Sequence, residues 1–298
     1  MRNMLSELLD LLRLERIEQN LFRGQSQDLG WGAVFGGQVL GQALSAAAQT
    51  VPPERAVHSF HSYFLRQGDA SRPIVYDVDC IRDGGSFTTR RVVAIQNGRP
   101  IFTMAASFQA DEVGFDHGDV MPDVPGPDGL LSELEAAQRI SDRIPPHFRS
   151  IALAERPIEI RPVQMSNLLD PKPRPPVRQL WYRAKGTLPD DPAVHRYVCA
   201  YASDFNFLIT ALQPHGVSLI TPGLQVASLD HAMWFHRPFR FDEWLLYDVD
   251  SPSASGSRGL VRGRFFRQDG TLVATVAQEG LVRDRRPPFD TAAAKNPR

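Results

Sequence analysis

An aspartate inside an apolar helical pattern is the strongest candidate for chemistry in this sequence. Residues 196–212 are predicted to form one helix, and Asp204 lies near its middle. Four apolar or aromatic residues share its face at the three- and four-residue spacings of a helix: Ala200, Tyr201, Phe207 and Leu208. Because an unpaired buried carboxylate is costly or has a raised pKa, Asp204 needs hydrogen-bond partners, water or a catalytic purpose. The alternative is a solvated aspartate on the outer side of the helix.

Two polar residues on predicted strands could complete a site around this carboxylate. Ser228 lies on the strand that follows the connector after the helix, and Gln278 lies near the end of the last strand, on the face of Ala274 and Val276. A hydroxyl, an amide and a carboxylate can together hold a water molecule whose proton the carboxylate takes. The pattern alone does not select Ser228 and Gln278, because polar residues at a surface or strand edge have the same signature.

The elements that would position these side chains occur twice in the chain. Residues 63–66 (Tyr-Phe-Leu-Arg) and 76–79 (Tyr-Asp-Val-Asp) return 171 positions later as 234–237 (Trp-Phe-His-Arg) and 247–250 (Tyr-Asp-Val-Asp). The repeated unit is far longer than the units of stacked repeat proteins. The sequence therefore predicts two fused and similar domains.

Each copy contains one apolar helix and several strands joined by tight turns. The first copy is predicted to have a helix over 36–48 and strands over 59–65, 74–82, 87–96 and 100–109. The second copy is predicted to have a helix over 196–212 and strands over 225–236, 244–250, 260–267 and 271–281. A helix that is apolar on nearly every face needs cover on more than one side, so the sheet should wrap around it. This predicts an α+β fold of the double hotdog type, in which each of two fused domains has an antiparallel sheet wrapped around a central helix.

A proline-rich stretch separates the copies. Eleven of the 24 prolines fall between Met121 and Pro176, and proline interrupts both helices and sheets. Residues 131–140 have a helical composition within this stretch. The predicted organisation is an N-terminal domain at 1–120, a linker at 121–175, a C-terminal domain at 176–290 and a tail at 291–298.

Composition limits the classes of partner. The 33 basic and 34 acidic residues leave no overall field to attract nucleic acid or an acidic membrane. Cys80 and Cys199 lack the spacing of zinc or redox motifs, and no metal motif is present. Acidic residues interrupt the N-terminal leucine stripe as no signal peptide would allow, and no apolar run approaches 18 residues. We therefore expect a cytoplasmic protein with no metal, no nucleic acid and no membrane partner.

Several strings in the chain resemble the bacterial acyl-CoA thioesterase II family. The resemblance runs nearly end to end, and its strings are Phe35-Gly36-Gly37-Gln38, residues 57–66, residues 213–216 and residues 230–238. It implies a double hotdog enzyme that hydrolyses fatty acyl-CoA to free CoA and fatty acid without metal or other cofactor. It also implies a catalytic set of Asp204, Ser228 and Gln278. Many bacterial members have threonine where this chain has Ser228; the hydroxyl is kept, so we expect activity to survive.

The resemblance implies hydrolysis by an activated water without a covalent intermediate. By analogy with paired hotdogs, the oxyanion would be bound by the backbone N–H of Gly36 or Gly37 at the start of the first central helix. That helix carries no carboxylate, so one complete site per chain is expected. Arginines on the strands could bind the CoA phosphates: Arg90, Arg91, Arg258 and Arg262. A homodimer or homotetramer is expected from the resemblance.

Two other functions fit parts of the pattern. A hotdog dehydratase would need a histidine paired with an acid, and His231 follows Asp230. A non-catalytic acyl-CoA sensor would bind the thioester without turnover. A serine hydrolase of the α/β type is not indicated, because the sequence has no G-x-S-x-G motif.

Overall fold

The N-terminal copy consists of a central helix and a set of antiparallel strands. The computed structural model describes residues 3–286, so the predicted tail at 291–298 and the last residues assigned to the C-terminal domain lie outside the described residues. The helices of this copy are α1 (Met4–Leu12) and the central α2 (Gly36–Ala48). Its strands are β1 (Glu15–Glu18), β2 (Leu21–Gly24), β3 (Arg55–Phe64), β4 (Ile74–Asp83), β5 (Phe87–Gln96) and β6 (Arg99–Ala110).

The segment between the copies contains short elements. They are α3 (Glu133–Arg139), a 3₁₀ turn (Ser141–Arg143), α4 (Pro146–Ala152) and the strand β7 (Ile158–Pro162). Helix α3 begins with a capping box, in which Ser132 and Glu135 satisfy each other's backbone N–H groups. This confirms the helix predicted over 131–140. Strand β7 lies inside the predicted linker but pairs with the second copy, so we infer that the second copy begins with β7.

The C-terminal copy repeats the plan with one interruption after its central helix. Its helices are the central α5 (Pro192–Ser203) and α6 (Ile209–Leu212), followed by a 3₁₀ turn (Gln213–His215). Its strands are β8 (Val177–Ala184), β9 (Leu224–Ser228), β10 (Asp230–Phe235), β11 (Leu245–Ser255), β12 (Arg258–Arg267) and β13 (Leu272–Asp284).

All strands form a single antiparallel sheet whose order is the same read from either end. The order is β1-β2-β4-β5-β6-β3-β10-β13-β12-β11-β8-β7, with β9 also paired to β13. The two copies join where β3 lies beside β10, with Phe60 opposite Met233. Each half therefore has the same strand arrangement, related by an approximate two-fold axis at this junction. The arrangement confirms the predicted α+β double hotdog fold and the duplication.

The two central helices pack against each other under the sheet. The crossing is close at Gly37, where an added Cβ would lie 2.1 Å from the carbonyl oxygen of Tyr201. Only glycine allows this approach, and it brings the start of α2 to the end of α5. Helix α1 packs into the same core through four buried leucines: Leu5, Leu8, Leu11 and Leu12. Among residues 3–286, no helix has the length and apolar character needed to cross a membrane.

Two predicted elements are wrong as continuous units. The helix predicted over 196–212 ends at Ser203, and a turn with Asn206 at φ 62° separates it from α6. The strand predicted over 225–236 is interrupted at Leu229, between β9 and β10. Periodicity missed both breaks because the apolar pattern continues through them. The tight turn between β5 and β6 is formed by Asn97 and Gly98, both at positive φ.

Candidate active site

Asp204 lies at the end of α5 rather than in the middle of a helix. It is the C-cap residue, still in the right-handed helical conformation, and its side chain points toward the start of α2. An ideal Cβ on Gly36 would lie 2.6 Å from Asp204 Oδ2. The prediction of a helix interior was therefore wrong, but the predicted apolar surroundings are present, since Tyr201, Phe207 and Leu208 are buried nearby.

The three predicted catalytic side chains form one hydrogen-bonded cluster. The hydroxyl of Ser228 donates to Asp204 Oδ1 at 3.4 Å, and Gln278 Nε2 donates to Ser228 Oγ at 2.8 Å. The Gln278 amide also lies close enough to the Asp204 carboxylate to lower its pKa. A carboxylate, a hydroxyl and an amide from three separate elements thus converge on one point.

The strands explain why Ser228 and Gln278 reach Asp204. Ser228 is the last residue of β9 and lies opposite Gly280 on β13, just before the interruption at Leu229. Gln278 lies opposite Val261 of β12, and both side chains are buried on the face that covers the helices. Because successive strand residues alternate between faces, this register directs the Gln278 amide inward.

Burial makes Asp204 a weaker acid than an ordinary aspartate. Removal from water raises its pKa from the ordinary 3.8 to about 6, while hydrogen bonds from Gln278, the Gly37 backbone and Ser228 partly oppose the rise. The residue as a whole is only half-buried, so a route to solvent remains. Such a carboxylate is mostly ionised at neutral pH and is a stronger base than an exposed aspartate.

The start of α2 faces the carboxylate. The N-cap is Phe35, which provides no side-chain cap, and the Gly37 N–H is near enough to the Asp204 carboxylate to lower its pKa. The first N–H groups of a helix have no partner within the helix and carry partial positive charge. The structure therefore brings Gly36 and Gly37 to the cluster, as the sequence predicted.

His231 is a member of the cluster that the sequence did not assign to it. Its Nδ1 lies 2.5 Å from Gln278 Oε1 and its Nε2 lies 2.9 Å from Ser203 Oγ. It is completely buried, and desolvation lowers its pKa to about 4, so the ring is neutral at pH 7. The sequence did place a histidine at an inward-facing strand position, which could have indicated a buried polar residue. Its partners, Ser203 and Gln278, could not be predicted because they come from distant parts of the chain.

The histidine and acid pair considered for a dehydratase is not formed. Asp230 and His231 are neighbours on β10 and have separate partners: Asp230 Oδ1 accepts the Glu279 backbone N–H at 2.6 Å. His231 instead faces Gln278 and Ser203. Adjacent strand residues point to opposite faces, which explains the separation.

The four arginines predicted to bind CoA phosphates all have partners within the protein. Arg90 is 2% exposed, and its guanidinium bonds to Thr50 and Asp83. The other three are exposed and take part in ion pairs, which are Arg91 with Asp79, Arg258 with Glu279 and Arg262 with Asp250. Arg262 neighbours the inward-facing Val261, so its side chain is on the face away from the helices. Among residues 3–286, no three His, Cys, Asp or Glu side chains are grouped like metal ligands.

Comparisons with known proteins point to one family. Residues 26–109 match the profile of an acyl-CoA thioesterase N-terminal domain, and residues 148–281 match that of an acyl-CoA thioesterase. Acyl-CoA thioesterase 2 of Haemophilus influenzae is 43% identical, over 95% of this chain and 99% of the relative. Human acyl-coenzyme A thioesterase 8 is 46% identical, over 92% and 88%. The crystal structure of acyl-CoA thioesterase II TesB2 from Mycobacterium marinum superposes with a TM-score of 0.75 at 43% identity, over 94% and 99%. The chain therefore belongs to the acyl-CoA thioesterase family.

Proposed function

We propose that this protein hydrolyses fatty acyl-CoA to a free fatty acid and CoA, by direct attack of water activated at Asp204. The observation that carries the proposal is the half-buried carboxylate of raised pKa, bonded to a hydroxyl, an amide and a helix start. Family membership gives the substrate class, since the related proteins are named acyl-CoA thioesterases.

In the first step, Ser228 and Gln278 hold a water molecule beside Asp204. The water oxygen attacks the thioester carbon while one of its protons passes to the carboxylate, and the carbonyl oxygen becomes an oxyanion. The pKa of Asp204, about 6, makes this transfer easier than it would be to an ordinary aspartate. Ser228 and Gln278 supply donor and acceptor atoms that fix the direction of attack.

In the second step, the tetrahedral intermediate collapses. The carbon–sulfur bond breaks, the carbonyl reforms as a carboxylic acid, and the sulfur of CoA takes the proton that Asp204 holds. Asp204 returns to its ionised form, and no group remains bound to the protein. The reaction needs no metal and no other cofactor.

The oxyanion is assigned to the start of α2. The N–H groups of Gly36 and Gly37 face the carboxylate that activates the water, so a thioester carbonyl beside the water would lie within their reach. Backbone N–H groups at a helix start suit an oxyanion, because they are free of intrahelical partners and keep their orientation during the reaction.

The test compares CoA release by the wild type and by Asp204→Asn, with palmitoyl-CoA and a thiol reagent. We expect the variant to lose about 10³-fold in kcat, because an amide cannot accept the proton. Binding of a non-hydrolysable thioether analogue should be kept. Gln49→Asn, at the exposed C-cap of α2, is the matched control and should retain wild-type turnover.

Three outcomes would contradict the proposal in different ways. Retained turnover in Asp204→Asn would place the base elsewhere. Binding without release in the wild type would favour the non-catalytic sensor. Incorporation of ¹⁸O into Asp204, rather than into the fatty acid alone, after a single turnover in labelled water would show a covalent intermediate.

The proposal also covers assembly and location. A homodimer or homotetramer is supported by exposed aromatic residues near the junction of the two copies, where Tyr63 is 59% exposed and His61 packs edge-on against Trp234. Cytoplasmic location is supported by α1, whose leucines pack into the core of the fold. Light scattering after gel filtration tests the first statement, and cell fractionation tests the second.

A further inference from the structure

His231 contacts the catalytic cluster through Gln278. It is completely buried between Phe60 and Phe207, with ring centroids 6.1 Å and 5.9 Å away. Its polar contacts are Gln278 Oε1 on Nδ1 and Ser203 Oγ on Nε2, while its backbone carbonyl accepts the Ser62 hydroxyl. A buried histidine with both nitrogens engaged is fixed in orientation and in tautomer.

The bond to Gln278 determines which nitrogen carries the proton. The Ser228 hydroxyl donates to Asp204, so its oxygen accepts from the Gln278 NH₂. Gln278 Oε1 therefore faces His231 and can only accept, so the Nδ1 of His231 must donate. In a neutral ring Nε2 is then an acceptor, and it shares the single hydrogen of the Ser203 hydroxyl, 2.9 Å away, with the Ala200 carbonyl oxygen, to which that hydroxyl also donates at 2.9 Å. The histidine thus presents an N–H, and only an N–H, to the Gln278 oxygen.

This donor reinforces the orientation of the Gln278 amide. With Oε1 held by His231, the amide NH₂ points to Ser228 Oγ and to the Asp204 carboxylate. The reversed amide would place its oxygen beside the carboxylate and its NH₂ beside the Nδ1–H, which gives a clash of like charges at both ends. Without His231, only the repulsion at the carboxylate end would oppose the reversed amide.

We propose that His231 is a positioning residue for hydrolysis: its Nδ1–H holds the Gln278 side chain with the NH₂ toward Ser228, Asp204 and the attacking water. The inference rests on the proposed function of the Asp204 cluster. The donors of His231, Gln278 and Ser228 then all point toward Asp204. The role belongs to the second copy alone, because the corresponding residue of the first copy, 171 positions earlier, is Phe60.

The test uses two amide side chains in place of His231, one with its nitrogen near the position of Nδ1 and the other with its nitrogen near the position of Nε2. In His231→Asn, the amide nitrogen can occupy the place of Nδ1 and still donate to Gln278. In His231→Gln, the longer side chain places its amide near the position of Nε2. We expect His231→Asn to keep kcat within about 5-fold and His231→Gln to lose about 30- to 100-fold, with KM changed less than about 3-fold in both. Equal kcat losses in the two variants, or wild-type kcat in His231→Gln, would overturn the proposal.

A second measurement separates positioning from a general packing effect. In the Gln278→Ala background, His231→Gln should cause no further loss of kcat beyond about 2-fold, because the residue through which it acts is gone. An additive loss would contradict the proposal, and this comparison stays valid if the single variants are less stable. Failure of the wild type to release CoA would instead count against the proposed function, so the two failures are distinguishable.

Discussion

The C-terminal ends of the two central helices occupy corresponding places in the fold but differ in chemistry. Helix α2 ends in the C-cap Gln49, which is exposed, whereas α5 ends in the C-cap Asp204, which faces the start of α2. Six residues connect α2 to β3, and twenty connect α5 to β9. The longer connection adds α6 and the turn that ends α5. The first copy therefore has a short, direct connection after its central helix, and the longer connection of the second copy leaves the Asp204 carboxylate facing α2.

The strands show the same divergence. At the displacement of 171, Ser228 corresponds to Val57 and His231 to Phe60. Strand pairing gives the third correspondence: Gln278 pairs with Val261, and Ala106 pairs with Arg90 at the same place in the first copy. The first copy thus has apolar side chains where the second has a polar cluster. At the position of Val261 it has Arg90, whose buried guanidinium bonds to the Thr50 carbonyl just past the end of α2. Arg90 therefore links β5 to the end of α2 in the first copy, and its contact with a CoA phosphate stays a prediction.

Turnover should fall strongly when Gln278 is replaced by alanine, the residue at the corresponding position of the first copy. Gln278→Ala should lower kcat by about 10²- to 10³-fold, or about 3–4 kcal/mol, because the amide that orients the water is lost. Ser228→Ala should lower kcat by about 10²-fold. Steady-state kinetics with palmitoyl-CoA provide the measurement. Ser228→Thr is the control: it keeps the hydroxyl and should remain within about 3-fold of wild type.

Arg90 tests the first copy in the same way. Arg90→Met should lower the free energy of unfolding by about 2–4 kcal/mol, because buried acceptors at Thr50 lose their donor. The KM for acyl-CoA should not change. Arg91→Met, which removes only an exposed ion pair with Asp79, should cost about 1 kcal/mol or less. Urea denaturation checks both values, and a raised KM in Arg90→Met with unchanged stability would support the predicted role in CoA binding.

The pH profile tests the carboxylate that only the second copy has. Asp204 must be ionised to accept a proton, and its pKa is raised to about 6 by burial. We expect kcat/KM to fall about 10-fold per pH unit below about pH 6 and to level off above it. Circular dichroism at each pH shows whether the protein stays folded. An acid limb near the ordinary aspartate value would show that Asp204 is not the group that titrates.

The smallest effect concerns the stability cost of the site. The folded state holds the Asp204 proton more tightly than the unfolded chain does, with a pKa of about 6 against an ordinary 3.8. Ionisation of Asp204 therefore lowers the free energy of unfolding. The stabilisation that comes from binding this proton declines as pH rises from about 4 to 6 and stays low above that range. Asp204→Asn should be more stable than wild type by about 1–2 kcal/mol at pH 8, since partial exposure reduces the full effect of the shift. The difference should vanish near pH 4, as measured by urea denaturation; a destabilised variant at pH 8 would contradict this.

The sequence was sufficient for the fold because the fold follows from local patterns. The 171-residue displacement relates β5 to β12 with identical bounds, and the strand predicted over 87–96 is confirmed residue for residue. Alternation, tight-turn residues and an apolar helix are all local signals, and duplication repeats each of them. The resemblance to the thioesterases identified Asp204, Ser228 and Gln278, which helical and strand periodicity alone could not select.

The tertiary structure alone decided how those residues meet. Asp204 caps a helix because the chain turns at Asn206. Strand register directs Gln278 inward and Arg262 outward. The contact of His231 with Gln278 joins residues 47 positions apart, and that of Gly37 with Asp204 joins the two copies. The sequence by itself determined which elements form and that they form twice. Burial, register and the close helix crossing then determined which side chains share one site, because these depend on contacts between residues far apart in the chain.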